Sequence, residues 1–253
     1  MPRYVLEVMY DGTCFHGSQV QGLTPTVQLS INTMLSTLLR TPMGTVGASR
    51  TDEGVHALCN FYHYDTDAEP GNDFLYKCNA ILPQGVAVKK LFVALKPDFN
   101  ARFDAADRAY RYRIYAAKNP FLHGRALYYP FPMRRDMLDE TARVIKEYTD
   151  FESFAKRNTQ SKTFVCKIGE SYWQQEGEEL QYVVKANRFL RGMVRGLVAT
   201  QLRMAKGGYD IADFRAILEA RDCTKAFFNV TGNGLYLEQI QYPEGTMQLL
   251  LVH

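Results

Sequence analysis

Residues Gly47 to Ala57 read Gly-Ala-Ser-Arg-Thr-Asp-Glu-Gly-Val-His-Ala, and no other stretch of the chain holds so much potential chemistry. The segment is polar and tight. Asp52 sits in it between Arg50 and Gly54. An apolar helical pattern precedes it and an aromatic strand pattern follows. A carboxylate at such a junction can act as a lone nucleophile. The same spacing is also ordinary turn chemistry, because Asp bonds its own backbone and Gly supplies positive φ. Residue types alone leave both readings open, and one acid can do both jobs. Other machinery is missing: there is no Gly-rich phosphate loop, no His-x-x-x-His pair and no Gly-x-Ser-x-Gly elbow.

The flanking pattern says what must position this acid. Residues Arg3 to Tyr10 alternate as a strand that ends at an Asp11-Gly12 turn. Thr24 is the expected cap of a first helix, with Pro25 at its first position. Val27, Ile31, Met34, Leu35, Leu38 and Leu39 make its apolar stripe. Strands are expected over 57–64, 86–95 and 109–115, the last alternating Tyr and Arg. A second helix is expected over 136–148, buried through Leu138, Ala142 and Ile145. Residues 167–174 and 180–186 read as a hairpin around Gly177. A third helix is expected from about Phe189, so that Arg188, Arg191 and Arg195 follow helical spacing. A fourth begins at an Asp210 cap and uses Ile211, Phe214, Ile217 and Leu218. A last strand covers 235–242. This order predicts an α+β chain with a largely antiparallel sheet and helices packed on it.

Composition narrows the class. The chain has 253 residues, 46% hydrophobic, with a net charge of +3. It holds no apolar run long enough to cross a membrane and no basic-then-apolar leader pattern. The five cysteines, Cys14, Cys59, Cys78, Cys166 and Cys223, are odd in number and show no close pair. They suggest neither a disulfide framework nor a zinc site, and they fit a reducing cytoplasm. Charge is unevenly spread: net −2 over residues 1–100, +6 over 101–200 and −1 over 201–253. Between Ser153 and Ile168 stand Lys156, Arg157, Lys162 and Lys167 with no acid, and Phe154 and Phe164 are interleaved. Such a stretch draws phosphates and fits an RNA partner. It reads equally well as a solvated basic face.

The Arg50–Ala57 segment resembles the Arg-Thr-Asp-x-Gly-Val-His-Ala signature of the TruA family of tRNA pseudouridine synthases. Further segments agree in the family's order. Tyr10-Asp11-Gly12-Thr13-Cys14-Phe15-His16-Gly17 with Gln19 is similar to its opening strand and turn. Thr26-Val27-Gln28 resembles the start of its first helix. Ala101-Arg102-Phe103 followed by Tyr110-Arg111-Tyr112 resembles its central motif. Phe189-Leu190, Met193-Val194-Arg195 and Gly234-Leu235-Tyr236-Leu237 complete the set. The likeness spans almost the whole chain.

The resemblance implies two related halves sharing one sheet, a catalytic cleft across its middle, and a homodimer. The expected halves are 1–104, with the Asp motif, and 105–253, with the pocket's Tyr, Arg and Leu. Asp52 matches the catalytic aspartate. Arg50 matches the arginine beside the extruded nucleotide. Tyr110 matches the tyrosine that stacks on the flipped uracil, although Tyr112 shares its face. Arg195 matches the arginine that pairs with the aspartate, and Leu235 the residue that closes the uracil pocket. Lys156, Arg157, Lys162, Arg188 and Arg191 are the expected RNA contacts. His56 is structural support in this pattern. The implied reaction moves uracil from a nitrogen to a carbon link on ribose in the anticodon stem-loop of tRNA. That isomerisation calls for no cofactor and no metal. The alternatives are an inactive RNA-binding homologue that assists tRNA folding and an active synthase with another RNA site. Three positions depart from the family: Ser18 stands where tryptophan is usual, and Ser49 and Glu53 replace small residues. They bear on local packing and substrate choice rather than on reaction type.

Overall fold

Strand β1 (Arg3–Tyr10) opens the chain. The computed structural model describes residues 1–157 and 162–253. Five consecutive residues of β1, Tyr4 to Val8, are buried, so both faces of the sheet are covered here, and β4 and β3 pair with its two edges. Helix α1 (Val27–Leu39) follows a turn-rich segment. Its cap is Thr26, whose side chain accepts from the Leu29 N–H at 3.3 Å. The helix therefore starts two residues later than a Thr24–Pro25 start would place it. The Pro25 carbonyl is instead used by the His16 N–H. Val27, Ile31, Met34 and Leu35 are buried, and Leu38 and Leu39 half-buried.

Next come β2 (Val46–Gly47), β3 (His56–Asp65), α2 (Phe74–Ile81) and β4 (Val86–Ala94). Then follow β5 (Asp107–Tyr115), β6 (Leu127–Tyr128), α3 (Arg135–Ile145), β7 (Ile168–Glu176) and β8 (Glu179–Ala186). The chain closes with α4 (Met193–Ala205), α5 (Ile211–Glu219), β9 (Leu235–Gln241) and β10 (Met247–Val252).

The chain forms two compact units. The first holds residues 1–106 and 236–253, the second residues 107–235. The sequence pattern places one boundary near Asp104. The compact units change over at Ala106–Asp107 and again at Leu235–Tyr236, so the C-terminal strands group with the N-terminal segment.

In the first unit the strand order is β10-β4-β1-β3-β9, with β2 also on β3. All these pairs are antiparallel except β3 with β9, which sets His56 beside Tyr236. Helix α2 packs on β4 and on α1. In the second unit β5, β8 and β7 run antiparallel in that order, and α3 packs on β7, α4 and α5. Gly177 takes φ +58° in the β7–β8 turn, which explains a glycine there. Helix α5 starts at a complete capping box between Asp210 and Asp213. The architecture is α+β and mostly antiparallel, as the element order predicts.

Helix α4 departs from expectation. It begins at Met193, not near Phe189, because Gly192 takes φ +74° just before it. Arg188 and Arg191 therefore precede the helix, and helical spacing links neither of them to Arg195. The Arg191 carbonyl accepts from the Lys156 N–H at 2.9 Å. Among the described residues, no helix is long and apolar enough to cross a membrane.

Candidate active site

Asp52 sits in the irregular segment between β2 and β3, in the first unit. Its carbonyl accepts from the Val55 N–H at 3.2 Å, and Gly54 takes φ +76°. The turn reading of this motif is thus correct for the backbone. The Asp52 side chain is half-buried.

A buried polar network holds the turn from below. The Tyr10 and Thr51 hydroxyls lie 2.8 Å apart, and Asn60 Nδ2 donates to the Tyr10 oxygen at 3.2 Å. Asn60 also donates to the Ser49 carbonyl at 3.0 Å, and its Oδ1 accepts from the Ser49 N–H at 3.2 Å. Asn60 is wholly buried in mid-strand, where an unbonded amide would be costly. Burial pushes the Tyr10 phenol up to about 12, and its Thr51, Asn60 and Ser18 hydrogen bonds offset part of that rise. Tyr10 is therefore a neutral strut at working pH.

The opening motif clamps the other side. Ser18 is buried; its Oγ accepts from the Thr51 N–H at 2.8 Å, and its own N–H donates to the Thr51 carbonyl at 3.0 Å. A small hydroxyl at position 18 thus holds the residue before Asp52. Gly17, at φ +88°, brings its backbone close; a Cβ there would lie 3.0 Å from the Thr51 carbonyl. Ser49 is held through its backbone, so its side-chain type matters little to the turn. Glu53 is exposed and pairs with His16 at 3.3 Å.

His56 is buried, stacked on Tyr236 with centroids 4.5 Å apart. Its Nδ1 accepts from the Gly12 N–H at 3.2 Å and lies 3.2 Å from an Asp11 oxygen. These contacts tie the opening turn to β3, which is a supporting role. Nothing in the motif itself marks Tyr10, Ser18, Thr51 and Asn60 as the residues that position it. One local signal points to this network: Asn60, an amide inside β3.

The other candidates lie in the second unit. Arg108, Tyr110, Tyr112 and Ile114 share the buried face of β5. Tyr112 is wholly buried and its hydroxyl donates to the Thr231 carbonyl at 2.8 Å. The backbone of Gly234 lies against its ring, where a Cβ would come within 2.7 Å. Tyr112 is thus committed to the core. Tyr110 packs edge-on to Phe189, centroids 5.1 Å apart. Arg195, on the first turn of α4, donates through Nε and Nη2 to the Val230 carbonyl at 3.0 and 2.8 Å. Its charge also reaches Tyr112. Leu235 is buried at the start of β9, directly after the Gly232–Gly234 turn. The structure thus gathers Arg195, Thr231 and Gly234 around Tyr112.

Lys156, Arg157 and Lys162 are all exposed. Residues 158–161 of this basic stretch lie outside the described residues. Phe154 is not an interleaved surface aromatic, because it is wholly buried against Phe151 and Phe214. Arg50 is exposed, Arg188 half-exposed and Arg191 exposed.

All five cysteines are free thiols. Burial pushes Cys59 and Cys166 up to about 11 and Cys78 to about 12, so these three stay protonated and unreactive. Among the described residues no cluster of three His, Cys, Asp or Glu side chains is placed to hold a metal.

Comparison with known proteins identifies the family. A family model described as tRNA pseudouridine synthase matches residues 148–243. A tRNA pseudouridine synthase A of Parabacteroides distasonis is 42% identical over 249 residues, covering 96% of this chain and 97% of the relative. Proteins of the same description from Bacteroides fragilis and Bacteroides thetaiotaomicron are each 38% identical, over 245 and 248 residues. Those matches cover 96% of this chain and 97% and 92% of the relatives. The chain belongs to the TruA family of tRNA pseudouridine synthases.

Proposed function

We propose that this protein converts uridine to pseudouridine in the anticodon stem-loop of tRNA, with Asp52 as the nucleophile. The observation that carries the reading is the Asp52 turn. Thr51 and Ser49 before it are held by hydrogen bonds from Tyr10, Ser18 and Asn60, and its own carbonyl closes the turn with the Val55 N–H, around a half-buried carboxylate. Such preorganisation suits a group that must meet a substrate in one geometry. Family membership over nearly the whole chain supports the reaction class.

The reaction balances without an external reagent. The bond from ribose C1′ to uracil N1 breaks, the base turns, and a bond from C1′ to C5 forms. The C5 hydrogen leaves as a proton, and N1 gains one. Asp52 supplies the nucleophilic carboxylate. Tyr110 stacks on the extruded uracil and Leu235 closes its apolar side. Arg50 fills the gap left in the RNA stack, which offsets part of the few kcal/mol that extrusion costs. Arg195 holds the carboxylate charge. The protein acts as a homodimer in the cytoplasm.

Tritium release from tRNA labelled at uracil C5 tests the reaction. The purified protein, with a chelator present and no ATP, is expected to release label in proportion to pseudouridine formed. No release at stoichiometric protein with several tRNAs would favour a tRNA-binding protein without activity. Mapping which pseudouridines vanish from cellular RNA after gene deletion tests the anticodon stem-loop assignment.

The exposed cations Lys156, Arg157 and Lys162 are proposed phosphate contacts. Replacing all three by Ala is expected to weaken several tRNAs alike. It should also flatten the plot of log affinity against log salt by up to roughly one unit per lost contact. An unchanged slope in a folded variant would make this stretch a solvated face.

A further inference from the structure

The C-terminal end of α4, in the second unit, carries a basic surface that the reaction does not use. Residues 180–209 hold six cations, Lys185, Arg188, Arg191, Arg195, Arg203 and Lys206, and no acid. Arg203 and Lys206 stand three residues apart at the end of the helix, so they share one of its sides, and both are exposed. Among the described residues neither pairs with a carboxylate, whereas Arg135, Arg143 and Arg215 on the other helices of this unit do.

Aromatic rings hold both cations instead. The Arg203 guanidinium carbon lies 5.3 Å from the Tyr209 ring centroid and 5.7 Å from that of Phe227, and its Nη2 donates weakly to the Tyr209 hydroxyl at 3.4 Å. Lys206 Nζ lies 4.8 Å from the centroid of Phe131, which packs edge-on to Tyr129. Two backbone features build the cluster. Gly207 and Gly208 take φ +105° and +82°, turning the chain so that Tyr209 meets Arg203. The Arg134 N–H donates to the Ala205 carbonyl at 2.9 Å, tying the segment after Phe131 to the end of the helix. The acids that follow, Asp210 and Asp213, are engaged with each other's backbone in the α5 capping box.

Two simpler roles compete. Cations in a last helical turn favour the macrodipole, and basic side chains can coat a solvated face. Neither role needs a long side chain held over a ring. Such contact narrows the side chain's freedom and leaves N–H donors for an anion, so less entropy is lost on binding.

We propose that Arg203 and Lys206 form a phosphate clamp that grips the tRNA backbone outside the target nucleotide. Arg203 lies eight residues beyond Arg195, about 12 Å along α4 at 1.5 Å per residue. The clamp therefore meets a phosphate away from the reacting uridine. It reads no sequence, because the phosphate is the same at every nucleotide. The assignment rests on the tRNA-modifying reading above and extends the RNA path along α4.

A variant carrying Arg203→Gln with Lys206→Gln tests it, with tRNA binding measured across a salt series. Loss of two phosphate contacts should flatten the plot of log affinity against log salt by about 1.4–1.8 units. The affinity loss should then be about tenfold larger at 50 mM than at 200 mM salt, and alike for several tRNAs. Tm should fall by a few degrees at most, the scale of a lost helix-end charge. An unchanged slope in a folded variant would overturn the proposal and leave both cations to the helix dipole. Chemical labelling of the unsubstituted protein gives an independent readout. Excess tRNA should protect Lys206 from acetylation by an N-hydroxysuccinimide ester, read by peptide mass spectrometry, and inorganic phosphate at equal phosphate concentration should not. Lys206 labelled equally with and without tRNA would sink the clamp. So would equal protection by phosphate, which marks an isolated anion site only, or protection by polyglutamate and not by tRNA, which marks an acidic protein partner. Tritium release by the unsubstituted protein is scored separately. Release with an unchanged slope removes only the clamp, and a flattened slope without release removes only the isomerase reading.

Discussion

Asp52→Asn is expected to lower kcat by about ten-thousand-fold or more while tRNA affinity stays within about threefold. A loss of that size corresponds to about 5 kcal/mol of transition-state stabilisation, the scale seen when a nucleophile is removed. Asn keeps the size and shape of the side chain but loses its charge and nucleophilicity. The turn should survive, because it is held by the Asp52 carbonyl, Gly54 and the Thr51 contacts, none of which needs the carboxylate. Single-turnover kinetics beside a binding isotherm would separate the two effects. A variant within about tenfold of the parent, only about 1.4 kcal/mol in barrier, would reduce Asp52 to a turn residue.

Gly12→Ala should damage both stability and activity, although Gly12 touches no substrate in this reading. A Cβ there would lie under 3.0 Å from the Val55 carbonyl group and 2.7 Å from the Gly54 carbonyl carbon. Both are backbone, so no flexible side chain can yield. The Gly12 N–H also donates to His56, which resists any retreat of the opening turn. The strain must then move Gly54–Val55, and with them the turn that closes on the Asp52 carbonyl. Overpacking of this kind costs about 1–3 kcal/mol. At roughly 2–4 °C per kcal/mol for a chain of this size, Tm should fall by several degrees. A shift of the carboxylate by about 1 Å would cost on the order of a hundredfold in kcat. Gly44→Ala is the control, since nothing lies within 4 Å of its Cβ position and its φ is not positive. If Gly12→Ala matched that control in both Tm and kcat, the opening turn would not be what fixes the Asp52 loop.

Much of the fold can be read along the chain. The extents of β1, β3, β4 and β8, the apolar stripe of α1 and the Asp210 cap all follow from local period and local capping chemistry. The Asp52 motif is also local, since one turn needs only neighbours in sequence. Errors arise where a neighbour in space or a single backbone torsion governs. Gly192 at φ +74° delays α4 to Met193, and no apolar pattern over Phe189–Leu190 reveals that. Helix α2 is eight residues long, too short for a periodic signal, and buries only Phe74, Leu75 and Cys78. Strand β10 is an edge strand with no fully buried residue, so its alternation is faint, and only its pairing with β4 defines it. Tyr110 and Tyr112 are equivalent by alternation. They differ because Thr231 and Gly234, more than a hundred residues away, close on Tyr112. The same holds for the frame of the candidate site. Asp52, Gly54 and His56 are legible as a motif, but the struts beneath them come from Tyr10, Ser18 and Asn60 on other segments. Hydrogen bonds between residues distant in sequence leave no periodic trace, so the identity of the acid is written in the sequence while its fixed position is a property of the folded chain.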